Sequence, residues 1–356
     1  MMGKMMNNLV VDQISFSYSE EKILDNITFS LSNDDFLVVL GKSGSGKTTL
    51  LKIISGLLFP SNGEVYLNNE NLNKLPAYKR KISMIFQENH LYNNLTIYQN
   101  LLLGFKKQRI KDEEKDLIIK DVIKKLKITK FLNLKPKHLS LGEQQKIALA
   151  KNILSNDNLY LFDEPFSSLD VKNKEMLLSL LIEIKKEKKC PFIYVCHEAN
   201  DAYKLANKIL ILKDGKILQF GNINEVINKP KYLEVRDYIG DKLNVYNVFI
   251  TNGKIRFDNE ILYNSNLKIS GLFLLGISYK NFYLDENGAF KGIIIKKIFS
   301  SDLEETIYVK YDDNVIIIPL KKNENPELNQ EIHFSFILDD YFIFDRFTHL
   351  NYFFNL

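Results

Sequence analysis

The spacing of apolar positions changes character several times along the chain. From Leu9 to about Val39, short apolar runs alternate with turn residues, which predicts strands. The segment that follows, "TTLLKIISGLL", has the apolar spacing of a helix. We expect one face of this helix to carry Leu50, Leu51, Ile54, Leu57 and Leu58.

Strands and helices alternate as far as about residue 228. "GEVYL", "KISMIF", "NLYLFDEP" and "PFIYVCH" predict strands, and "KNKEMLLSLLIEIKKEKK" predicts a helix between the last two. The charge-dense segment 105–130 carries Ile118, Val122 and Leu126 at helical spacing, which indicates an inserted helical region. Such alternation is typical of a mostly parallel sheet with helices on both faces, so we predict an α/β domain.

Beyond residue 228 the helical spacing gives way to short strands separated by turn signals. The turns are Asn252-Gly253, Asn287-Gly288 and Asp312-Asp313. This pattern predicts a small all-β domain, either a sandwich or a barrel. We therefore predict two domains, 1–235 with a helical subdomain at about 88–155, and 236–356.

Composition and charge narrow the class of protein. With 45% hydrophobic and 26% charged residues and a net charge of +4, the chain is globular, and it is too weakly basic to indicate nucleic-acid binding. Cys190 and Cys196 flank a buried strand, which favours two inert thiols in a reducing compartment. Apolar runs are too short to span a bilayer, and the N-terminus lacks a signal-peptide core. We expect a soluble, cytoplasmic protein that can still dock on a membrane protein.

The segment "GKSGSGKT" has the spacing of a phosphate-binding loop. It follows the apolar strand "FLVVL" and opens the predicted helix near Thr49, so both flanking elements fit. Glycines let backbone amides approach phosphates, a lysine adds positive charge, and a hydroxyl can bind Mg²⁺. The candidate residues are Gly41, Lys42, Ser43, Gly44, Ser45, Gly46, Lys47, Thr48 and Thr49.

The strand "LYLF" ends in two carboxylates. Asp163 is placed to hold Mg²⁺ and Glu164, one residue further on, to polarise an attacking water. An acidic pair after a strand is usually the start of a turn or helix. Beside a phosphate-binding loop, a catalytic role is the stronger interpretation.

A second candidate anion site lies in "LSLGEQQKIALA". Ser140 and Glu143 form the pattern of a capping box, in which each side chain satisfies an amide at the helix start. On its own the pattern indicates only a helix start. A helix N-terminus nevertheless also attracts anions, so this segment is a candidate anion site if another part of the protein supplies the anion.

The phosphate-binding loop, the acidic pair and several further motifs occur in the same order as in the nucleotide-binding subunits of ABC transporters, which residues 9–235 resemble. Tyr18 matches the aromatic residue that stacks on adenine, and Gln87 the glutamine that senses Mg²⁺ and water. "LSLGEQQ" resembles the signature loop, Asp170 ends the loop that crosses the dimer interface, and His197 matches the switch histidine. The resemblance implies ATP as substrate and Mg²⁺ as cofactor, bound by Thr48, Gln87 and Asp163.

The resemblance also answers where the anion at Ser140 comes from. In this family two copies close on two ATP molecules, and each signature loop, here Ser140, Gly142 and Glu143, faces the γ-phosphate held by the other copy. Glu164 and His197 would then orient the water. Leu141 departs from the usual glycine, which puts a side chain beside a loop that must approach a phosphate closely.

The C-terminal strands resemble the transport-associated OB-type domain (TOBE) of importer ATPases, although "GISYKNFYL" lacks the Arg-Pro pair common there. The resemblance implies an importer ATPase at the cytoplasmic face of the membrane. Its partners would be a second copy, two transmembrane permease subunits and, indirectly, a solute-binding protein. The implied solutes are iron, an inorganic anion, a polyamine or a sugar.

Three other classes of ABC protein are alternatives. A soluble, ribosome-associated ATPase usually has two cassettes, whereas this chain has one phosphate-binding loop. A DNA-repair ATPase needs a long heptad insertion, which residues 50–139 lack. An exporter subunit would not need the β domain. A separate alternative for the β domain itself is binding of single-stranded nucleic acid, which OB-like barrels can perform.

Overall fold

The computed structural model describes residues 9–86, 91–105, 108–167, 169–240, 242–257, 260–264, 267–299, 305–312, 314–338 and 341–355. The chain divides into two compact units, Met1–Val226 and Ile227–Leu356. The sequence prediction put the boundary at 235/236, and the domain limits remain a prediction. Among the described residues, none of the helices is long and apolar enough to cross a bilayer.

Two sheets form the first unit. Its strands are, in chain order, β1 (Leu9–Ser17), β2 (Lys22–Leu31), β3 (Phe36–Leu40), β4 (Asn62–Leu67), β5 (Glu70–Asn71), β6 (Ile82–Ile85), β7 (Leu159–Asp163), β8 (Phe192–Cys196), β9 (Lys208–Lys213) and β10 (Lys216–Asn222). One sheet has the order β2-β1-β4-β5 and is antiparallel. The other has the order β10-β9-β3-β8-β7-β6 and is parallel except for β10, which confirms the predicted α/β class.

Helical segments occur in both units. Within the described residues the α-helices are α1 (Lys47–Ser55), α2 (Ile97–Leu102), α3 (Asp112–Lys125), α4 (Leu141–Ile153), α5 (Val171–Glu187), α6 (Ala199–Leu205), α7 (Ile223–Asn228) and α8 (Val235–Tyr238). Short 3-10 turns lie at Leu72–Lys74, Ala77–Lys79, Leu103–Phe105, Thr129–Phe131, Pro136–His138, Tyr279–Asn281 and Tyr352–Asn355. A single apolar core joins side chains of both sheets with α1.

The predicted apolar face of α1 is correct for the three members that lie within the helix and wrong for the last two. Leu50, Leu51 and Ile54 are fully buried. Leu57 and Leu58 lie beyond the helix, because it ends at Ser55 and Gly56 turns the chain with a φ of 84°. Leu57 is exposed and Leu58 is only partly buried. Glycine at this position favours the left-handed turn that ends many helices.

Both cysteines are buried free thiols, as predicted. Burial raises the pKa of Cys190 to about 11 and also raises the pKa of Cys196. A thiol with a raised pKa holds its proton at neutral pH, so neither side chain is an activated nucleophile.

The second unit is built of β-strands that follow the short helix α8. Its strands are β11 (Leu243–Thr251), β12 (Lys254–Phe257), β13 (Glu260–Asn264), β14 (Gly271–Ser278), β15 (Phe282–Leu284), β16 (Phe290–Phe299), β17 (Glu305–Tyr311), β18 (Asn314–Pro319), β19 (Glu331–Phe336) and β20 (Tyr341–Asp345). They form two five-stranded antiparallel sheets, β13-β12-β11-β14-β20 and β15-β19-β16-β17-β18, which agree with the expected OB-like domain. The predicted turn at Asn252-Gly253 joins β11 to β12, with φ angles of 49° and 75°.

One buried side chain ties the two sheets of this unit together. Asn244 on β11 is 2% exposed. Its Nδ2 donates to the Ile317 carbonyl on β18 at 2.8 Å, and its Oδ1 accepts from the Ile317 N–H at 2.8 Å. Both backbone groups of Ile317 on this side are therefore satisfied by one amide.

Replacing Asn244 with Ala should destabilise the second unit, because both Ile317 backbone groups lose their partner. Each unsatisfied group costs about 1–3 kcal/mol. Urea unfolding and hydrogen exchange at the Ile317 amide would measure the effect. Asn247→Ala, at an exposed position of the same strand, is the matched control. Equal effects of the two substitutions would contradict the assignment.

Candidate functional site

The loop between β3 and α1 leaves the carboxyl edge of the parallel sheet. Gly44 and Gly46 adopt φ angles of 80° and 102°, a region that side chains rarely tolerate. A Cβ on Gly46 would also lie 2.7 Å from Leu24 Cδ2. The glycine spacing of the motif therefore has a direct conformational cause, and the loop can keep its backbone close to a ligand.

Lys47 organises this loop from inside. Its side chain is buried, and Nζ donates to the carbonyls of Gly41 at 2.8 Å and Lys42 at 2.9 Å. Burial lowers the pKa of Lys47, although the nearby carboxylates of Glu164 and Asp163 oppose this shift. A buried cation is thus held in the centre of the loop, where it can attract phosphate.

The other loop residues divide into buried and open positions. Lys42, Ser43, Gly44 and Thr48 are exposed, whereas Gly41, Ser45, Gly46 and Thr49 are buried. The Oγ of Ser45 is buried without a hydrogen-bond partner. Buried polar atoms are normally paired, so an orphaned hydroxyl in a glycine-rich loop fits a site that takes a polar ligand.

Asp163 and Thr48 meet beside the loop. The Thr48 hydroxyl donates to Asp163 Oδ1 at 3.0 Å. Asp163 is buried, and burial raises its pKa despite this hydrogen bond. A hydroxyl and a buried carboxylate are oxygen ligands of the kind that Mg²⁺ uses together with substrate phosphates. The described residues contain no group of three or more His, Cys, Asp or Glu side chains placed to hold a metal.

Glu164 and His197 lie side by side at the same edge. Glu164 adopts a φ of 46°, and its N–H donates to the Val195 carbonyl at 3.1 Å. This left-handed conformation is uncommon for a residue with a side chain and requires support from its surroundings. His197 Nδ1 lies 3.6 Å from Glu164 Oε2. A carboxylate and an imidazole therefore stand next to the phosphate-binding loop.

The capping box at α4 forms as predicted. The Ser140 N–H donates to Glu143 Oε2 at 2.9 Å, and the Glu143 N–H donates to Ser140 Oγ at 3.4 Å. Leu141 is 54% exposed at the first helical position. At Gly142 a Cβ would lie 2.8 Å from Leu169 Cδ2, so the start of α4 packs closely against the segment before α5.

Asp170 caps α5. Its carboxylate accepts from the Asn173 N–H at 3.0 Å and from Asn173 Nδ2 at 2.6 Å, and these two hydrogen bonds lower its pKa. Lys146 on α4 donates to Asn173 Oδ1 at 2.8 Å. The starts of α4 and α5 are therefore linked to each other.

Two further candidates lie at other places. Tyr18, at the end of β1, is exposed and makes an edge-to-face contact with Phe16, with ring centroids 4.9 Å apart. One face of a ring in this position is available for stacking. Gln87 lies outside the described residues. The structure thus brings Lys47, Thr48, Asp163, Glu164 and His197 together, while Ser140 and Asp170 bond within their own helix starts.

Sequence reasoning missed Arg80, which binds the C-terminal end of the helix that follows the loop. Its NH1 donates to the carbonyls of Ile53 at 2.8 Å and Ile54 at 2.9 Å, and Nε donates to Leu75 at 3.0 Å. The sequence offered one signal for this role, namely an Arg in a chain whose basic residues are mostly Lys. A guanidinium supplies the several donors in one plane that such a helix end needs.

Comparison with known proteins agrees with this geometry. Residues 24–167 match the family model for ABC transporters. The spermidine/putrescine import ATP-binding protein PotA of Bacillus cereus is 33% identical over 244 residues, which cover 68% of this chain and 73% of that protein. PotA of Clostridioides difficile strain 630 is 32% identical over 256 residues, covering 72% of this chain and 74% of that protein.

Solved structures share the fold. An ATP-binding subunit of an ABC transporter aligns with a TM-score of 0.57 at 26% identity, over 61% of this chain and 91% of that one. CbiO1 from Clostridium perfringens, part of the ABC transporter complex cbiONQ, aligns with a TM-score of 0.56 at 23% identity, over 62% and 91% of the two chains.

Fold and site together define an ATP-binding ATPase with a phosphate-binding loop at the carboxyl edge of a parallel sheet. The chain belongs to the family of ABC transporter ATP-binding proteins. Members of this family are ATPases that bind ATP, and so is this chain.

Replacing Gly46 with Ala should weaken ATP binding by about tenfold, since strain at such a backbone position costs about 1–3 kcal/mol. Titration with a fluorescent ATP analogue would measure the affinity. The matched control is Gly63→Ala, where φ is 88° and a Cβ would lie 2.4 Å from the Asp12 carbonyl, away from the loop. This control should lower the melting temperature and leave the affinity unchanged. Wild-type affinity in the Gly46 variant would contradict the prediction.

Replacing Asp163 with Asn should stabilise the nucleotide-free protein at neutral pH. Burial raises the pKa of Asp163, so near and above its unfolded value the native state binds more protons, and this contribution to stability falls as pH rises. Asparagine does not ionise and can still accept from Thr48. The melting temperature should exceed that of wild type at pH 7.5, and the difference should shrink towards pH 4.

The control for Asp163 has the opposite sign. Asp170 has a lowered pKa because of its hydrogen bonds to Asn173, so its charge contributes stability at neutral pH that is lost as the pH falls. Asp170→Asn should therefore shift the melting temperature downwards at pH 7.5. A downward shift for Asp163→Asn as well would refute the burial argument.

Proposed function

We propose that this chain is the ATP-hydrolysing subunit of an importer, in which two copies close on two ATP molecules and drive solute uptake through partner permease subunits. The observation that carries the proposal is the Glu164–His197 pair next to Lys47 and the glycine-rich loop. We further propose a polyamine as the solute, because the relatives that resemble this chain are named for spermidine and putrescine import.

In this proposal the loop binds the phosphates of ATP. Lys47, now bonded to the Gly41 and Lys42 carbonyls, would turn its ammonium towards the terminal phosphates. Ser45 Oγ and the loop amides would find acceptors there, and Tyr18 would stack on the adenine. Preorganised donors of this kind stabilise the charge that develops during phosphoryl transfer.

The residues present fit Mg²⁺. Thr48 Oγ1 and Asp163 would hold it, with Gln87 as the third proposed ligand, and the ion would neutralise charge on the phosphates. The raised pKa of Asp163 supports this assignment, because a nearby cation favours the ionised form of a carboxylate that burial penalises.

Glu164 and His197 would act on the attacking water. The Glu164 carboxylate would accept a hydrogen bond from the water and polarise it. His197, 3.6 Å away, would contact the γ-phosphate and orient the same water. The left-handed backbone at Glu164 fixes the direction from which its side chain leaves the sheet.

The second copy would supply the rest of the site. Ser140, Gly142 and Glu143 lie at a helix N-terminus, whose amides and partial positive charge favour an anion such as the γ-phosphate held by the other chain. Asp170 would lie at the interface. Binding would close the dimer, hydrolysis would open it, and the movement would be passed to the permease subunits at the cytoplasmic face of the membrane.

Replacing Glu164 with Gln should abolish ATP hydrolysis and keep ATP binding, because the amide retains the shape of the side chain and loses its basicity. With ATP and Mg²⁺, the variant should run as a dimer in size-exclusion chromatography. Tagged and purified from native membranes, it should also retain polytopic subunits identifiable by mass spectrometry.

Two controls make this experiment decisive. Glu164→Gln combined with Gly46→Ala should need about tenfold more ATP to dimerise, because the strained loop binds the nucleotide more weakly. Uptake of labelled spermidine and putrescine in cells that express only Glu164→Gln should fall to background. Recovery of ribosomes, or the absence of membrane subunits, would refute the importer, and normal polyamine uptake would refute the solute.

A further inference from the structure

We propose that Lys174 is a positioning residue for ATP hydrolysis: it fixes the loop that carries His197 to the start of α5, and through that loop it sets the place of the His197 ring beside Glu164. This inference rests on the roles proposed above for His197 and Glu164. Lys174 does not itself reach the substrate.

The contacts of Lys174 join two elements that are distant in sequence. It lies one turn into α5, where its N–H donates to the Asp170 carbonyl at 3.0 Å. Its Nζ lies 2.6 Å from Glu198 Oε2 and 3.0 Å from Asp201 Oδ1. The Lys174 side chain is only 14% exposed and that of Asp201 only 4%, so this ion pair is largely shielded from solvent.

Asp201 forms the buried end of the cluster. Its Oδ2 accepts from the hydroxyl of Tyr194, a buried residue of β8, at 3.3 Å. Burial raises the pKa of Asp201 although Lys174 opposes this shift. Burial lowers the pKa of Lys174, and the bonds to Glu198 and Asp201 more than compensate, so its pKa is raised overall. This end of the cluster anchors α5 to the sheet.

Glu198 forms the exposed end, and it directly follows His197. Its Oε1 lies 3.9 Å from His197 Nε2, while its Oε2 is held by Lys174. On the other side of the ring, His197 Nδ1 faces Glu164 at 3.6 Å. The imidazole therefore stands between two carboxylates, and Lys174 fixes one of them.

The same side chain connects His197 with the start of α5. Asp170 caps this helix through Asn173, and Lys146 ties Asn173 to α4. A displacement of the helix start carries Lys174 and, through Glu198, the loop that holds His197. Events at Asp170 and at the start of α4 thus have a contiguous physical route to the catalytic edge of the sheet.

Lys174→Met keeps the length of the side chain and removes its charge. We expect kcat for ATP to fall by about tenfold to a hundredfold, since small misplacements of catalytic groups have effects of this size. The affinity for ATP should stay within about twofold, because the phosphate-binding loop is untouched. Lys174→Arg, which restores the cation, should recover most of the rate.

A double-mutant cycle with His197→Ala separates positioning from general stability. If Lys174 acts through His197, Lys174→Met should change the residual rate of the His197→Ala protein by less than about twofold. A full loss in both backgrounds would overturn the inference. Normal hydrolysis by His197→Ala alone would instead refute the proposed role of His197, so the two failures are distinguishable.

The chain offers a matched control for α5 packing. Lys204 of α6 pairs with Glu175 of α5 at 2.8 Å in an exposed position, so Lys204→Met breaks a bond between the same two helices. It should leave kcat within about twofold, because exposed ion pairs contribute little. A loss equal to that of Lys174→Met would overturn the inference.

A second variant keeps the test valid if Lys174→Met fails to fold. Glu198→Gln removes the exposed partner of Lys174 and leaves the buried pair with Asp201 intact. It should lower kcat without a change in ATP affinity, because the loop loses its tie to α5. An unchanged kcat in Glu198→Gln would overturn the inference.

Discussion

The parallel register of three neighbouring strands is the constraint on which the site depends. β8 pairs with β3 on one side and β7 on the other, so that Cys196 stands opposite Leu40 and Val195 opposite Asp163. The three strands are buried along their whole length, so the charged side chains of the site follow at or after the strand ends. Adjacent strands lie about 5 Å apart. The phosphate-binding loop, the acidic pair and His197 therefore emerge side by side, where ligands bind in sheets of this kind.

Two buried side chains of opposite charge, Lys47 and Asp163, determine which ligands this edge of the sheet favours. Lys47 and Asp163 both lose hydration, and burial shifts their pKa values in opposite directions, each towards its neutral form. The nucleotide-free protein pays for this arrangement in stability. A phosphate near the Lys47 ammonium and a cation near the Asp163 carboxylate would stabilise the two charged forms. Ligand binding would therefore raise the stability of the folded protein.

Local patterns could be predicted from sequence because their causes are local. Loop glycines, apolar strands and the capping box each depend on residues within one element, and all of them form. The prediction that Leu57 lies on the buried face of α1 was wrong, because the left-handed turn at Gly56 ends the helix earlier than the apolar spacing indicates. Lys174 carried no signal at all, since its partners lie 24 and 27 residues away and meet it only through tertiary packing. The roles of the site residues, and Gln87 in particular, remain predictions.

The exposed side chain of Leu141 has a thermodynamic consequence for the proposed closure of two copies. Leu141 is 54% exposed to solvent at the start of α4, next to amides that would bind a phosphate. Closure would remove an aliphatic group from water together with the charged contacts, and burial of apolar surface carries a negative heat-capacity change and weakens on cooling. A glycine in the same position would bring no aliphatic side chain to the closure. In this chain the association would therefore depend more on temperature than it would with a glycine there.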